Sequence, residues 1–207
     1  MYNILIKSGI FLIFSTLFVS VSLSSVQARV IVHEKVKYYS VRGKSGAQTV
    51  LNLMKTGTRV SKTRHAIATT KVKFNFKNIK VRASRKNCKV SNIDVIVSLV
   101  YTYPKWRNYN RASPKTRKNW DKFMREVRKH ERKHGSIAVD AAHKVERGFK
   151  RSRGKTAKKC NDWGASIKRK IAPLIVRHHR RQAQFDKREH KRYSRITRSM
   201  IALIKGK

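Results

Sequence analysis

His130, Glu131 and His134 are the residues of this chain best placed to do chemistry. In the order His-Glu-x-x-His on a helix, two imidazoles four residues apart share one face and can reach the same zinc ion. The glutamate between them then sits where it can act as general base on a water held there. The chain has 8 histidines in 207 residues. Random order of this composition would give about 0.01 such patterns, so composition alone does not account for the match. His33-Glu34 begins in the same way, but Lys37 stands where the second histidine is needed.

A catalytic zinc usually takes three protein ligands and keeps one position for water. The extension HExxHxxGxxH does not supply the third, because Ile137 replaces its glycine and Asp140 its histidine. His143 falls about 180° round an unbroken helix from His134 and is set aside. A later segment, Phe185-Asp186-Lys187-Arg188-Glu189-His190, holds three possible ligands within five residues. On a helical projection Glu189 is central to the apolar stripe, Asp186 roughly 60° off it and His190 roughly 100° off. Periodicity alone therefore favours Glu189. The plain alternative is that these acids only pair with the arginines around them. A group to stabilise the transition state is also required, and Tyr193 and His178 are candidates for it.

The elements that must position these residues can be read from patterning. Ser113 and Pro114 form an N-cap and first-turn pair. From there Trp120, Phe123, Val127, His130, His134, Ile137, Ala141 and Val145 recur at intervals of three and four. Both histidines thus lie on the stripe that should face the core, with Arg132 and Lys133 toward solvent. Gly148 and the basic run to Lys159 are expected to end this helix. A second long helix is expected over 164–203, restarting at Pro173. Its stripe runs through Ile167, Ile171, Leu174, His178, Gln182, Phe185, Glu189, Tyr193, Ile196, Met200 and Leu203.

Ahead of the helices the period changes to two. Residues 30–41 are β-branched and aromatic and read as a strand. Ser45-Gly46 opens a short helix through Met54, with Val50, Leu51 and Met54 on one side and Gly57 as its stop. From 66 to 81 the inward positions are Val72, Phe74 and Phe76, and residues 88–103 give the strongest strand, which Pro104 should end. The fold class is α+β: a small, mainly antiparallel sheet with a short helix, then two long helices, the first carrying HExxH.

The length fits one domain with a real core. Lys and Arg number 52 against 10 Asp and Glu, a net charge of +42. Such a balance points to an anionic partner, either an envelope polymer or a membrane surface, unless the source simply has basic proteins throughout. Nucleic acid is disfavoured, because no clustered basic face stands out and export would separate the two. Export is expected from the start of the chain: Lys7 is a positive n-region, Gly9–Leu23 an apolar run, and Val26-Gln27-Ala28 a small-x-small cleavage site. Residues 1–28 are read as a signal peptide, with an uncleaved anchor as the alternative, and the product as secreted or periplasmic. Cys88 and Cys160 are what an exported domain would use for one disulfide, contributing about 4 kcal/mol in the chain-entropy model.

The chain resembles a bacterial family catalogued as a domain of unknown function and described as predicted secreted zinc-dependent proteases. The features that carry the resemblance begin with Tyr38-x-x-Val41-x-Gly43 before a short helix and a cysteine in a strand. They continue with Trp120 ahead of His130-Glu131-x-x-His134-Gly135-x-Ile137-Ala138, and a late aromatic-Asp element ending in histidine. The resemblance implies a single zincin-like metallopeptidase domain over 29–207, and it moves the third ligand to His190, with Glu189 and Asp186 as alternatives.

These readings together predict an exported zinc metallohydrolase, a peptidase with Glu131 as general base. A peptide or a cell-wall peptide would be its substrate. The alternative is a non-catalytic basic envelope protein that binds anionic polymer or lipid headgroups.

Overall fold

A computed structural model describes residues 27–60, 65–83, 88–151, 163–189 and 194–206, with side chains for 28–60, 65–80, 92–150, 168–189 and 194–206. Residues 1–26 of the segment expected to be a signal peptide (1–28), the expected pairing of Cys88 with Cys160, and the side chains of His190 and Tyr193 lie outside what is described, while Gln27 and Ala28 belong to the first strand. The elements are β1 (Gln27–Val41), α1 (Gly46–Thr56), β2 (Thr58–Arg59), β3 (His65–Ala66), β4 (Thr69–Ala83), β5 (Cys88–Trp106), a 3-10 turn at Tyr109–Arg111, α2 (Pro114–Arg151), α3 (Trp163–Glu189) and α4 (Arg195–Lys205). The architecture is α+β, as the patterning requires: small sheets, then long helices.

The main sheet has the order β1-β5-β4. β4 and β5 are antiparallel, but β1 runs parallel to β5 from Gln27↔Asn92 to Val41↔Trp106. The sheet expected to be mainly antiparallel is therefore mixed. Side chains alternate across a strand, and Ile93, Val95, Val97, Leu99, Tyr101 and Tyr103 of β5 all turn to one side and are buried. That side carries α2, whose Phe123, Met124, Val127, Ala138, Ala142, Val145 and Phe149 join them in one core. Each large side chain fully buried here contributes about 1.5–3 kcal/mol, and this seam holds the molecule together.

β4 contributes to the same side through Val72, Phe74 and Phe76, as its alternation predicts. Its ladder with β5 shifts register between Lys77 and Lys80. There Asn78 takes a φ of 52°, a left-handed conformation that asparagine tolerates better than most residues. The irregularity brings Asn78 Nδ2 to 2.6 Å from Asp94 Oδ2, while Arg29 of β1 reaches the other oxygen of Asp94 at 2.8 Å. One buried carboxylate thus ties all three strands.

Several expected boundaries move, each for a physical reason. Pro104 does not end β5, which continues to Trp106. The ladder with β4 stops at Thr69↔Thr102, so beyond it β5 has a neighbour on one side only, and a residue without N–H is tolerated there. Gly148 lies inside α2 instead of closing it. Glycine costs a helix about 1 kcal/mol, and burying the next residue, Phe149, outweighs that.

Pro173 likewise lies within α3, and the next described helix, α4, starts after Ser194. Ser194 Oγ accepts from the Thr197 amide at 3.1 Å and starts α4 as an N-cap. In α1 the inward residues are Val50 and Leu53, while Leu51 and Met54 are exposed. Its expected ends hold: Ser45 Oγ accepts from Gln48 N, and Gly57 follows the last turn. No described helix is long and apolar enough to cross a membrane.

Candidate metal centre

α2 begins as expected, with Ser113 Oγ accepting from the Thr116 amide at 3.3 Å. Trp120, Phe123, Val127, Ile137, Ala141 and Val145 are all buried, so the stripe is real and His130 and His134 lie within it. The helix could not approach the sheet at this level without Gly135. A Cβ at that position would lie 2.1 Å from Tyr101 Oη and 3.2 Å from a Leu99 methyl. Gly135 directly follows His134, so it sets the depth at which the histidine pair sits.

α3 runs antiparallel to α2 along this face. His130 meets Asp186, His134 meets Gln182, and Asp140 meets Arg181, the residue number rising on one helix as it falls on the other. Phe185 stacks on His130 with centroids 4.8 Å apart and meets His134 edge-on at 5.0 Å. Packed by that ring, the two Nε2 atoms point at one another across 3.1 Å. Asp186 Oδ1 completes the triangle, 3.3 Å from His130 Nε2 and 2.9 Å from His134 Nε2.

The donor set fits zinc in kind, being two imidazole nitrogens and one carboxylate oxygen. It also fits in size, since bonds of about 2.0–2.2 Å in a tetrahedron separate ligand atoms by about 3.3 Å. His130, His134 and Asp186 are grouped closely enough to hold a metal ion among the described residues. Glu189 is not in the group. Periodicity places Glu189 on the correct face, but it lies one turn beyond Phe185, about 6 Å further along the axis. The crossing of the helices puts the histidines beside Phe185, and the residue next to it is Asp186.

Glu131 is 6% exposed. Its Oε2 accepts from Thr70 Oγ1 at 2.6 Å, and the same hydroxyl lies 3.0 Å from the Glu131 carbonyl. Burial pushes its carboxyl pKa up; the Thr70 hydrogen bond and the nearby His134 work against that, and Asp186 adds to it. A carboxylate held in this way takes up a proton more readily than an exposed one.

Two further side chains were not singled out by the motif. Thr70 shares the inward parity of Val72, Phe74 and Phe76, and a hydroxyl there is the signal that could have found it. Gln182 interrupts the apolar stripe of α3, which is the equivalent signal on a helix. Its Oε1 lies 2.5 Å from His134 Nδ1 and its Nε2 3.0 Å from the His134 carbonyl. Nε2 is also 2.9 Å from His178 Nε2. His178 therefore faces Gln182 and packs edge-on against Phe74 at 5.2 Å.

A family model described as "Bacterial protein of unknown function (DUF922)" matches residues 36–193, more than half of the chain. The match takes in β1 from its middle, the sheet, α2 and α3. No curated protein matches the chain. No solved structure matches it.

Proposed function

The chain belongs to this bacterial family of unknown function, and from its site we propose that it is an exported zinc-dependent metallohydrolase, a peptidase. One observation carries the reading. Asp186 Oδ1 lies within 3.3 Å of both Nε2 atoms of the histidine pair, while the carboxylate of the intervening Glu131 is buried beside them. His130, His134 and Asp186 would hold the ion, which supplies Lewis-acid polarisation of an amide carbonyl.

The protein's own residues do the rest. Glu131 takes the proton of the attacking water and passes it to the leaving amine. Thr70 keeps the Glu131 carboxylate oriented through its hydroxyl. Phe185 walls the imidazoles from one side and lowers the local dielectric. The excess of Lys and Arg favours substrates bearing acidic groups, and peptide links of an anionic cell wall are of that kind.

Metal analysis of protein purified without chelator, together with peptide hydrolysis by wild type and Glu131→Gln, tests the reading. One zinc per chain in both, with hydrolysis only in wild type, is the expected outcome. Absence of zinc, or equal hydrolysis by both, overturns it.

A second reading rests on the outer side of α2. Lys118, Lys122, Arg125, Lys129 and Arg132 are all exposed, at spacings of four and three. Glu126 beside them pairs with Lys129 at 3.6 Å. Such a row fits an anionic envelope polymer or a lipid headgroup surface. A protein of that kind would bind with steep salt dependence and would be indifferent to loss of Glu131.

A further inference from the structure

Gln182 joins histidines on two helices, and its three contacts leave little freedom in how the protons are arranged. A side-chain carbonyl oxygen only accepts, and the His134 peptide carbonyl only accepts as well. The end of Gln182 that lies 3.0 Å from the His134 carbonyl must therefore be its NH2. That leaves Oε1 facing His134 Nδ1, which must carry a hydrogen to be donated. His134 Nε2 is then the ring nitrogen left for a metal, and it is directed at His130 and Asp186. The second hydrogen of the same NH2 points to His178 Nε2, 2.9 Å away, so His178 presents a lone pair there and carries its own hydrogen on Nδ1, which is buried with no hydrogen-bond partner among the described residues.

We propose that Gln182, held in one orientation by His178, is the positioning residue that locks His134 in the tautomer whose Nε2 is free to bind a metal. The inference rests on the metal reading for its purpose but not for its hydrogen-bond assignment. Three features support it. His178 is 4% exposed and packed against Phe74, so it is a fixed acceptor and not a mobile surface group. Burial, with the charges of His179, Arg181 and His134, pushes its pKa down to about 4, which keeps it neutral and able to accept. His134 makes the third, since without Gln182 its buried ring would be free to carry its hydrogen on Nε2, where it would oppose a cation.

Partners of this kind hold a ligand's ring and tautomer, and their removal typically weakens metal binding by about 10–100-fold. The experiment uses the full exported chain, metal-free, with 15N-labelled histidine, and reads each ring's protonated nitrogen from long-range 1H–15N correlations. The expected spectrum has hydrogen on Nδ1 of both His134 and His178, and none on His178 Nε2. Zinc affinity is then measured by chelator competition for wild type, Gln182→Met and Gln182→Glu.

Gln182→Met, near in shape but without an acceptor, is expected to mix the His134 tautomers and to weaken zinc by about 10–100-fold. Gln182→Glu keeps an acceptor for His134 Nδ1 but loses the NH2 that orients it, and is expected to restore part of the affinity that Gln182→Met loses. His134 found without hydrogen on Nδ1 in the wild-type chain would overturn the proposal, and that spectrum requires no variant to fold. Unchanged zinc affinity in a folded Gln182→Met would overturn it too. A wild-type chain that binds no zinc sinks the metal reading alone, because the spectrum still decides the tautomer.

Discussion

Thr70 on β4 holds Glu131 on α2 through a 2.6 Å hydrogen bond from hydroxyl to carboxylate. The contact links the edge of the sheet to the one acid of the HExxH motif. A hydrogen bond to a charged group is worth about 1.5–3 kcal/mol. If the proposed zinc-dependent hydrolysis holds, Thr70→Val, which keeps the shape and loses the hydroxyl, should lower it by about 10–100-fold with zinc content unchanged. Steady-state rates beside metal analysis check this. Equal rates for Thr70→Val and wild type would show that Glu131 needs no such partner in the proposed hydrolysis.

Asp186 is the described carboxylate that reaches both imidazoles. On the proposed zinc reading, Asp186→Asn should lose the ion on dialysis, whereas Glu189→Gln should retain it, since Glu189 lies outside the group. Zinc per chain after dialysis against buffer is the measurement. The opposite ranking would move the third ligand along α3 and would require a different crossing of the two helices.

Gly135 is required by contact. Gly135→Ala would put a methyl 2.1 Å from Tyr101 Oη. Overpacking of this kind costs about 1–3 kcal/mol, so the melting temperature should fall. Adding Tyr101→Phe removes the oxygen, and the next atom of that ring is 3.1 Å away. The double variant should recover much of the loss, and thermal melts of the three proteins decide it. No recovery would place the strain elsewhere.

Asp94 makes stability depend on pH. Hydrogen bonds from Arg29 and Asn78 hold its carboxyl below the usual range. The folded protein thus releases this proton more readily than the unfolded chain, and stability rises with pH wherever the unfolded state binds more protons. The contribution is fully present above the unfolded value, about 3.9, and is lost as pH falls through the lower folded value. Melts of wild type and Asp94→Asn should differ most near neutrality and converge in acid. A gap that stays constant down to pH 2 would count against the assignment.

What could be read from the sequence was whatever depends on neighbours along the chain. The caps at Ser45 and Ser113, the buried stripe with His130 and His134, and the inward row Val72, Phe74 and Phe76 follow from local chemistry and period. What could not be read depends on where two elements cross. Helical phase places Glu189 and Asp186 within one turn of each other, and only the position of Phe185 against His130 chooses between them. The parallel direction of β1 is equally silent in its residues, because alternation is the same in either direction. Gln182 and Thr70 were visible as polar residues on apolar rows, but their partners lie 48 and 61 residues away.

The parallel pairing of β1 with β5 bears on the order in which the chain assembles. β4 and β5 are sequence neighbours and can zip as a hairpin, whereas Arg29 finds Asp94 only after closing a gap of 65 residues. Closing the longer loop costs more entropy before any contact offsets it. β1, synthesised before β4 and β5, is thus expected to lock after they have paired. Pulse-labelled hydrogen exchange during refolding should protect the β5 amides that face β4 before those that face β1, so that the sheet grows backward toward its own beginning.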